Sequence, residues 1–239
     1  MRTRLIENFL KKRGLKVVSE SVPDTRCVDA LARLKERQIP VQSIIDVGAS
    51  DGRWSTQALN FFPAARCLCI EAQTAHEPGL KAFKAAHPNA DYVFCAASDQ
   101  PGEINFDARE LFGGIALKTP WGDHCIKVPA QTLDNLVSER RLPAPYLIKL
   151  DTHGHELPIL AGAARVLEQT EVLVAEVYNI TGPPPATPFW EFCRAVGELG
   201  FRCIDLFDPL YRPRDNMLWQ MDMVFVRATR PEFAYMNYD

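Results

Sequence analysis

Asp151, His153, His155 and Glu156 follow one another in a short stretch directly after the apolar run 145–150. Imidazole side chains titrate near neutral pH, and carboxylates accept protons or bind divalent cations. Such a cluster could remove a proton from a bound hydroxyl group, or it could help to hold a metal ion. Which of these applies depends on what the neighbouring elements bind.

The first strand-like run of the chain ends in a glycine turn. Residues 44–47 are mainly apolar, Gly48 and Gly52 follow, and apolar residues then recur at helical spacing through Phe62. A glycine lets backbone approach a ligand closely, and the N-terminus of the following helix points towards it. The three-glycine spacing of dinucleotide-binding turns and the Gly-Lys pair of phosphate-binding loops are both absent. The turn therefore predicts a nucleoside ligand without a polyphosphate.

Acidic residues around this turn favour a ligand with positive charge and free hydroxyl groups. Asp46 and Asp51 would repel phosphates but suit S-adenosylmethionine, which carries a sulfonium and an amino group. Glu71 ends the next apolar run, 19 residues after Gly52, near the roughly 20-residue spacing of a ribose-binding acid. Asp99 could accept a hydrogen bond from the adenine amino group, or it could simply be a turn residue. The predicted cofactor-binding residues are Asp46, Gly48, Ala49, Ser50, Asp51, Gly52, Glu71, Ala72, Ser98 and Asp99.

Five short segments together resemble the FkbM-type S-adenosylmethionine-dependent methyltransferases in order and spacing. They are residues 45–52 (IDVGASDG), 70–72 (IEA), 132–134 (TLD), 148–156 (IKLDTHGHE) and 219–225 (WQMDMVF). The resemblance covers residues 40–228. It implies a doubly wound methyltransferase fold and methyl transfer, usually to a hydroxyl group of a sugar or a secondary metabolite.

Methyl transfer to a hydroxyl group requires the protein to position the acceptor oxygen and remove its proton, because the cofactor brings the electrophile. Our first choice for the general base is His155 and our second is His153, with Asp151 orienting the acceptor or the base. The alternative is that both histidines are solvated and that the Glu156 carboxylate only interacts favourably with the positive N-terminal end of the following helix.

A divalent ion is a rival use of the same residues. If the last strand is antiparallel, as in the family, Asp151, Glu176 and Asp222 could converge on one ion that holds two acceptor hydroxyls. Carboxylates at strand ends also often cap helices or bind an amino group. We therefore expect no metal.

Residues outside these motifs could contact the acceptor. Trp121 lies in an irregular insertion, residues 101–131, that we expect over the mouth of the pocket, where an aromatic ring could stack on a sugar. Arg212 and Arg214 lie in a predicted loop, 208–220, and could bind a carboxylate or phosphate on the acceptor. Tyr178 follows the fifth strand and completes the predicted acceptor site.

Apolar runs alternate with helical patterns along the chain, which favours a parallel sheet. We predict one α/β domain, residues 41–228, with a doubly wound, Rossmann-like, mostly parallel seven-stranded sheet whose last strand is antiparallel. Residues 1–40 form a helical N-terminal segment, and residues 229–239 a tail. The basic first helix is either a solvated cap helix or a contact with an anionic membrane surface.

The composition limits the class of protein. Among 239 residues, 47% are apolar and 24% charged, which is ordinary for a globular domain. A net charge of -3 gives no basic face for nucleic acid, and we expect none as a partner. Seven cysteines, several within apolar runs, indicate buried thiols in a reducing compartment, so we expect a cytoplasmic protein.

The predicted function is O-methylation by S-adenosylmethionine of a hydroxyl on a small molecule, sugar or glycan. Two alternatives remain open. A non-catalytic nucleoside-binding or assembly protein would bind the cofactor without converting it. An N-methyltransferase would need an acceptor lone pair rather than a base, so it would be indifferent to both histidines. The sequence does not indicate the oligomeric state.

Overall fold

A computed structural model describes residues 25–120, 123–180 and 186–238. In chain order the strands are β1 (Ser43–Val47), β2 (Arg66–Glu71), β3 (Ala90–Phe94), β4 (Ala96–Ala97), β5 (Gly102–Asp107), β6 (Ile115–Leu117), β7 (Cys125–Gln131), β8 (Tyr146–Leu150), β9 (Thr170–Tyr178), β10 (Phe201–Tyr211) and β11 (Leu218–Arg227). The helices are α1 (Cys27–Glu36), α2 (Arg53–Phe61), α3 (Glu77–Ala86), α4 (Leu133–Arg140), α5 (Glu156–Ala161), α6 (Ala164–Glu168) and α7 (Phe189–Glu198), with short 3₁₀ helices at Thr74–His76 and Pro231–Phe233.

Seven strands form the larger sheet in the spatial order β10-β11-β9-β8-β1-β2-β3. Strands β3, β2, β1, β8 and β9 are parallel neighbours, and β11 is antiparallel to both β9 and β10. The predicted doubly wound α/β sheet with a reversed last strand is therefore confirmed. The order reverses at β1, so the crevice above its carboxyl end is the expected ligand-binding position in such a sheet.

Strand β1 shows why the sequence forms a buried central strand. Side chains alternate between the faces of a sheet, and here Ile45 and Val47 pack on one face while Ile44 packs on the other. The first face is covered by α4 to α7 and the second by α1 to α3. Because both faces are apolar, the polar ligand-binding groups collect at the carboxyl edge of the strands.

The insertion is a second, four-stranded sheet in the order β4-β7-β5-β6. β5 pairs antiparallel with both β6 and β7, so the segment expected to be irregular is a regular sheet. Ile104, Phe106 and Val128 form its own small core. Trp121, predicted to face the acceptor, lies outside the described residues.

Several element boundaries differ from the predictions. The loop expected over 208–220 is mostly strand, because β10 runs to Tyr211 and β11 begins at Leu218, leaving a hairpin turn at 212–217. Helix α4 was not predicted. Thr132 caps it, its hydroxyl accepting the backbone N–H of Asn135, and the carboxylate of Asp134 accepts the backbone N–H groups of Arg165 and Val166. The 132–134 motif thus fastens two helices together.

The structure describes the two ends of the chain from residue 25 and up to residue 238. The first predicted helix lies outside the described residues. The second is α1, which packs Leu31 and Leu34 against the sheet. In the predicted tail, Phe233 packs against the same core and the guanidinium of Arg230 donates to the backbone oxygen of Arg37.

Candidate functional site

A cavity of about 510 Å³ lies above the carboxyl ends of β1, β2 and β8. It reaches from Glu71 and Ala97 at one end to Asp151, Glu176 and Asp222 at the other. The strand register explains this convergence, because Val47 lies opposite both Ile70 and Leu150, so three strands end at the same level.

The glycine turn after β1 is held in a conformation that favours glycine. Gly48 has φ +77°, and a Cβ placed on it would lie 2.0 Å from the backbone oxygen of Asp151. Gly52 has φ +84° and packs against the ring of Phe83. The turn therefore brings the backbone that follows β1 against the backbone that follows β8.

Glu71 joins this turn to the end of β2. Its Oε2 accepts the backbone N–H of Ser50 at 2.8 Å, and its Oε1 accepts the backbone N–H of Gln73 at 2.8 Å. The carboxylate is 6% exposed and borders the cavity. Each oxygen has a second acceptor position, so the carboxylate can still accept hydrogen bonds from two hydroxyl groups of a ligand.

Asp46 lies beneath the turn rather than at its surface. Its carboxylate is almost fully buried and accepts a hydrogen bond from the hydroxyl of Ser55 at 2.6 Å. Burial raises the pKa of Asp46 to about 7, although the hydrogen bond from Ser55 and the charge of Lys149 oppose this. Such a group would be stabilised as an anion by a cation brought into the cavity.

Not all predicted cofactor-binding residues border the cavity. Ala49, Ser50 and Ala72 do, whereas Asp51 faces Arg53 in an ion pair at 2.7 Å. Gly52 packs against α3 instead. Ser98 and Asp99 are also turned away: the hydroxyl of Ser98 lies 3.0 Å from His155 Nε2, and Asp99 forms an ion pair with Lys118. The cavity wall there consists of Cys95, Ala96, Ala97, Phe106 and Ala116.

His155 is 4% exposed, and its ring bonds to Ser98. Burial lowers the pKa of His155 to about 4. Neighbouring Glu156 is also buried and accepts from the Thr152 hydroxyl and the Gly154 N–H, which closes the turn before α5. The histidine chosen first as base is therefore neutral, borders the cavity and is held by the fold.

His153 has partners on both ring nitrogens. Nδ1 lies 2.6 Å from the Tyr178 hydroxyl and 3.0 Å from Glu176 Oε2, and Nε2 lies 3.1 Å from the backbone oxygen of Phe112. Burial would lower the pKa of His153, but Glu176, the charge of Asp151 and the Phe112 carbonyl raise it to about 9. At neutral pH this ring is an imidazolium that donates from both nitrogens.

Glu176 is the acceptor at the centre of this network. It accepts from His153, Tyr178 and the side-chain amide of Gln220. Burial opposes ionisation, yet these donors and Lys149 hold the pKa of Glu176 below its usual value. Tyr178, predicted to contact the acceptor, is thereby committed to Glu176.

Lys149, for which the sequence predicted no role, lines the cavity at its base. Its ammonium is fully buried and donates to Asp222 Oδ1 at 2.8 Å and Asp151 Oδ2 at 3.2 Å. Burial alone would lower the pKa of Lys149, and the carboxylates of Asp151, Asp222 and Glu176 raise it above its usual value. The signal in the sequence was a lysine inside the otherwise apolar β8.

The predicted metal triad is thus arranged differently from the expectation. Asp222 and Asp151 share the ammonium of Lys149, and burial raises the pKa of Asp222 to about 6 in spite of it. A different set, Asp151, His153 and Glu176, has ligand atoms within 4.8 Å of one another. There the raised pKa of His153 disfavours the neutral imidazole that a metal requires.

Residues 110–114, which we call the cap segment, cover one side of the cavity. The amide of Gln73 donates to the backbone oxygens of Glu110 and Leu111, and His76 Nε2 lies 2.8 Å from the latter. The guanidinium of Arg53 lies 4.7 Å from the centre of the Phe112 ring. Together with the His153 bond, these contacts tie the cap segment to the ends of both β2 and β8.

Arg212 and Arg214 lie apart from this site. Both are in the hairpin turn, and Arg212 forms an ion pair with Asp215. The predicted contact with the acceptor assumed a long loop that the extended strands replace. The sulfur atoms of all seven cysteines are free thiols. Within residues 25–120, 123–180 and 186–238, no helix is long and apolar enough to cross a membrane.

Comparison with known proteins adds an independent line of evidence. Residues 46–203 match the family model described as "Methyltransferase FkbM domain". The 2-O-methyltransferase NoeI of Sinorhizobium fredii is 26% identical over 163 residues, 61% of this chain and 66% of that protein. The hexuronic acid methyltransferase AglP of Haloferax volcanii is 25% identical over 131 residues, 51% of this chain and 54% of that protein. The matches therefore span between half and two thirds of these relatives.

Solved structures with a similar fold include a Burkholderia thailandensis 1,6-didemethyltoxoflavin-N1-methyltransferase with bound S-adenosylhomocysteine. It is 14% identical, covers 95% of this chain and 86% of its own, and has a TM-score of 0.49. A precorrin-6y C5,15-methyltransferase from Geobacter metallireducens is also 14% identical, covers 83% and 86%, and has a TM-score of 0.43. At this identity the likeness concerns the fold alone.

Proposed function

Because the chain belongs to the FkbM methyltransferase family, we propose that it transfers a methyl group from S-adenosylmethionine to a hydroxyl group of a sugar, a glycan or a small metabolite. One observation carries the proposal. The Glu71 carboxylate is fixed by two backbone N–H groups at one end of a cavity whose other end holds the Asp151 carboxylate.

The cavity offers groups for each part of the cofactor. Glu71 would accept from the ribose hydroxyls, and the apolar wall at Ala97 and Phe106 would face the adenine. The carboxyl group of Asp46, beneath the glycine turn, would be favoured as an anion by the amino group and the sulfonium. The cofactor supplies the methyl group as an electrophile, so the protein's part is to bind, orient and deprotonate the acceptor.

Asp151 is the group best placed to take the acceptor proton. The imidazolium of His153 has no free lone pair, and His155 is almost fully buried with its Nε2 bonded to the Ser98 hydroxyl. Asp151 borders the cavity, its side chain is 36% exposed, and one carboxylate oxygen is held by Lys149. In the proposed step the acceptor oxygen bonds to the methyl carbon, the carbon–sulfur electron pair leaves on sulfur, and the hydroxyl proton passes to Asp151.

The activities for which the two relatives are named support a sugar or glycan hydroxyl as acceptor. One is a 2-O-methyltransferase and the other acts on hexuronic acid. Arg212 and Arg214 do not border this cavity. We therefore place the acceptor hydroxyl between Asp151 and the cap segment.

The test is product analysis with a labelled cofactor. The protein is incubated with S-adenosylmethionine carrying a labelled methyl group and with fractionated glycans and small metabolites, and mass spectrometry follows S-adenosylhomocysteine and the labelled product. A labelled methyl ether is expected. A labelled amine would favour N-methylation, and binding of the cofactor without conversion in any fraction would favour the non-catalytic alternative. Absence of any melting shift with either form of the cofactor would contradict the proposal entirely.

A further inference from the structure

The ammonium of Lys149 lies where three strand ends meet. β8 contributes Lys149 and is followed directly by Asp151, β9 contributes Glu176, and β11 contributes Asp222, which is the register partner of Glu176. Lys149 donates to Asp222, to Asp151 and, at 3.3 Å, to the backbone oxygen of Leu150. All three ammonium protons are therefore used.

Three carboxylates in a buried pocket repel one another unless a cation lies among them. A divalent ion is one solution, and a buried ammonium is another. Here the ammonium is within hydrogen-bonding distance of Asp151 and Asp222, two of the three acids that a metal would need. A divalent ion bound by the same acids would bring a double charge close to this ammonium, and the repulsion would oppose binding.

Resting on the proposed function, we propose that Lys149 is a positioning residue that takes the place of a divalent cation in the cluster of Asp151, Glu176 and Asp222. It holds one oxygen of Asp151 so that the other faces the acceptor hydroxyl, and it lets the methyl transfer proceed without added metal. Lys149 itself does not touch the reacting atoms.

The first measurement does not depend on activity. Mn²⁺ is titrated into wild type and into Lys149→Met, and binding is followed by calorimetry. Wild type is expected to bind no Mn²⁺ with a dissociation constant below about 1 mM. The variant keeps the three acids and the His153 imidazolium but loses the ammonium that lies between Asp151 and Asp222, and it is expected to gain a site at least about tenfold tighter. The proposal would be overturned if wild type bound Mn²⁺ at a site that Asp151→Asn abolishes. It would also be overturned if a folded Lys149→Met variant bound Mn²⁺ no more tightly than wild type.

The second measurement uses the methyl-transfer assay. Wild type is expected to keep its rate within about twofold after EDTA treatment, because its cation is covalently part of the chain. Lys149→Met should lower kcat about 100-fold and change the cofactor dissociation constant less than about threefold, since it disturbs proton removal rather than cofactor binding. A more than tenfold loss in EDTA, restored by Mg²⁺, or a kcat within threefold in Lys149→Met, would overturn the proposal.

Removing one partner of a buried ion pair can itself unfold a protein. For the Mn²⁺ titration the fallback is Lys149→Gln, which keeps all three acids and can still donate a hydrogen bond to one of them. For the methyl-transfer assay it is the double variant Lys149→Met/Asp222→Asn, which removes one of the two acids that the methionine would leave unpaired. It should fold, bind the cofactor and show the same loss of kcat. If wild type converts no acceptor at all, the proposed function has failed, whereas the Mn²⁺ titration still decides the role of Lys149.

Discussion

Ser50 donates its backbone N–H to Glu71 over 2.8 Å, which joins the turn after β1 to the end of β2. Both residues border the same cavity, and the second oxygen of Glu71 is held by Gln73. The acid is thus oriented before any ligand enters, so little ordering is required when its remaining acceptor positions are used.

Glu71→Gln should weaken cofactor binding. The amide nitrogen cannot accept the N–H of Ser50 or Gln73, and it replaces a charged acceptor for the ribose hydroxyls. Hydrogen bonds to charged groups contribute about 1.5–3 kcal/mol, which corresponds to a roughly 10- to 150-fold higher dissociation constant. Calorimetry with S-adenosylhomocysteine measures it. The exposed Glu198→Gln on α7 is the control, and equal affinity of the two variants would contradict the role of Glu71.

Gly48→Ala should destabilise the fold. The alanine would have to adopt φ +77°, and this left-handed conformation alone costs about 1–2 kcal/mol. Its Cβ would also lie 2.0 Å from the backbone oxygen of Asp151. We expect a decrease in melting temperature of at least about 5 °C. Gly197→Ala on α7 is matched in chemistry but meets nothing within 4 Å, and it should be neutral or stabilising. Similar melting temperatures for both variants would contradict this.

Gly114→Ala should open the cap segment, whereas Gly113→Ala should not. A Cβ at Gly114 would lie 2.5 Å from the ring of Phe106 and 2.6 Å from Gln73 Nε2, but at Gly113 the nearest atom is Glu110 Cβ at 3.2 Å. Overpacking of this kind costs about 1–3 kcal/mol. The expected result is faster proteolysis within residues 108–118 and a weaker affinity for the cofactor in the first variant only.

His153 should link stability to pH. Its pKa rises from 6.5 to about 9 on folding, so its stabilising contribution is complete below about pH 6.5 and is lost as the pH rises through 9. Wild type should therefore melt well above His153→Asn at pH 6, and the gap should narrow by pH 10. Asparagine is chosen because it tolerates the φ of +55° at this position. A gap independent of pH would argue against an imidazolium.

Asp151→Asn should abolish most turnover while leaving the cofactor site intact. Loss of a general base lowers the rate by about 10²- to 10⁴-fold. His155→Asn removes the alternative base, and it should lower kcat less than about tenfold because the ring is buried and its Nε2 is bonded to the Ser98 hydroxyl. The two kcat values, measured with the acceptor identified by product analysis, distinguish the assignments. The reverse order of effects would restore His155 as the base.

The sheet was predictable because its central strands are mainly apolar, with Asp46 in β1 and Lys149 in β8 as single charged residues within them. β2 and β8 are buried on both faces, and runs this short and apolar are typical of strands in a parallel sheet rather than of helices. Strands β10 and β11 were predicted too short because the residues of β10 after Phe207 are exposed or half-buried and include Pro209, which resembles a loop in a single sequence. Helix α4 was missed since its buried side chains are few: Leu133, Leu136 and Val137.

The site was predictable only where it follows from the strand ends. Glu71 and the glycine turn are marked by their position after apolar runs. The bond from Lys149 to Asp222 joins residues 73 positions apart, and no period in the sequence relates them. The pairing of His153 with Glu176 likewise depends on two strands lying side by side, and it shifts the pKa of the ring away from neutrality.

The register of β11 makes the chain sensitive to insertions and deletions between Leu218 and Asp222. Asp222 lies between Met221 and Met223, and a shift of one residue exchanges the faces of a strand. An extra residue in the turn at 212–217 can be absorbed outside the ladder, but one between 218 and 222 would replace the acid beside Lys149 with a thioether. Insertions and deletions in proteins descended from this chain should therefore be tolerated before Leu218, in the turn, and eliminated after it, in the first half of β11.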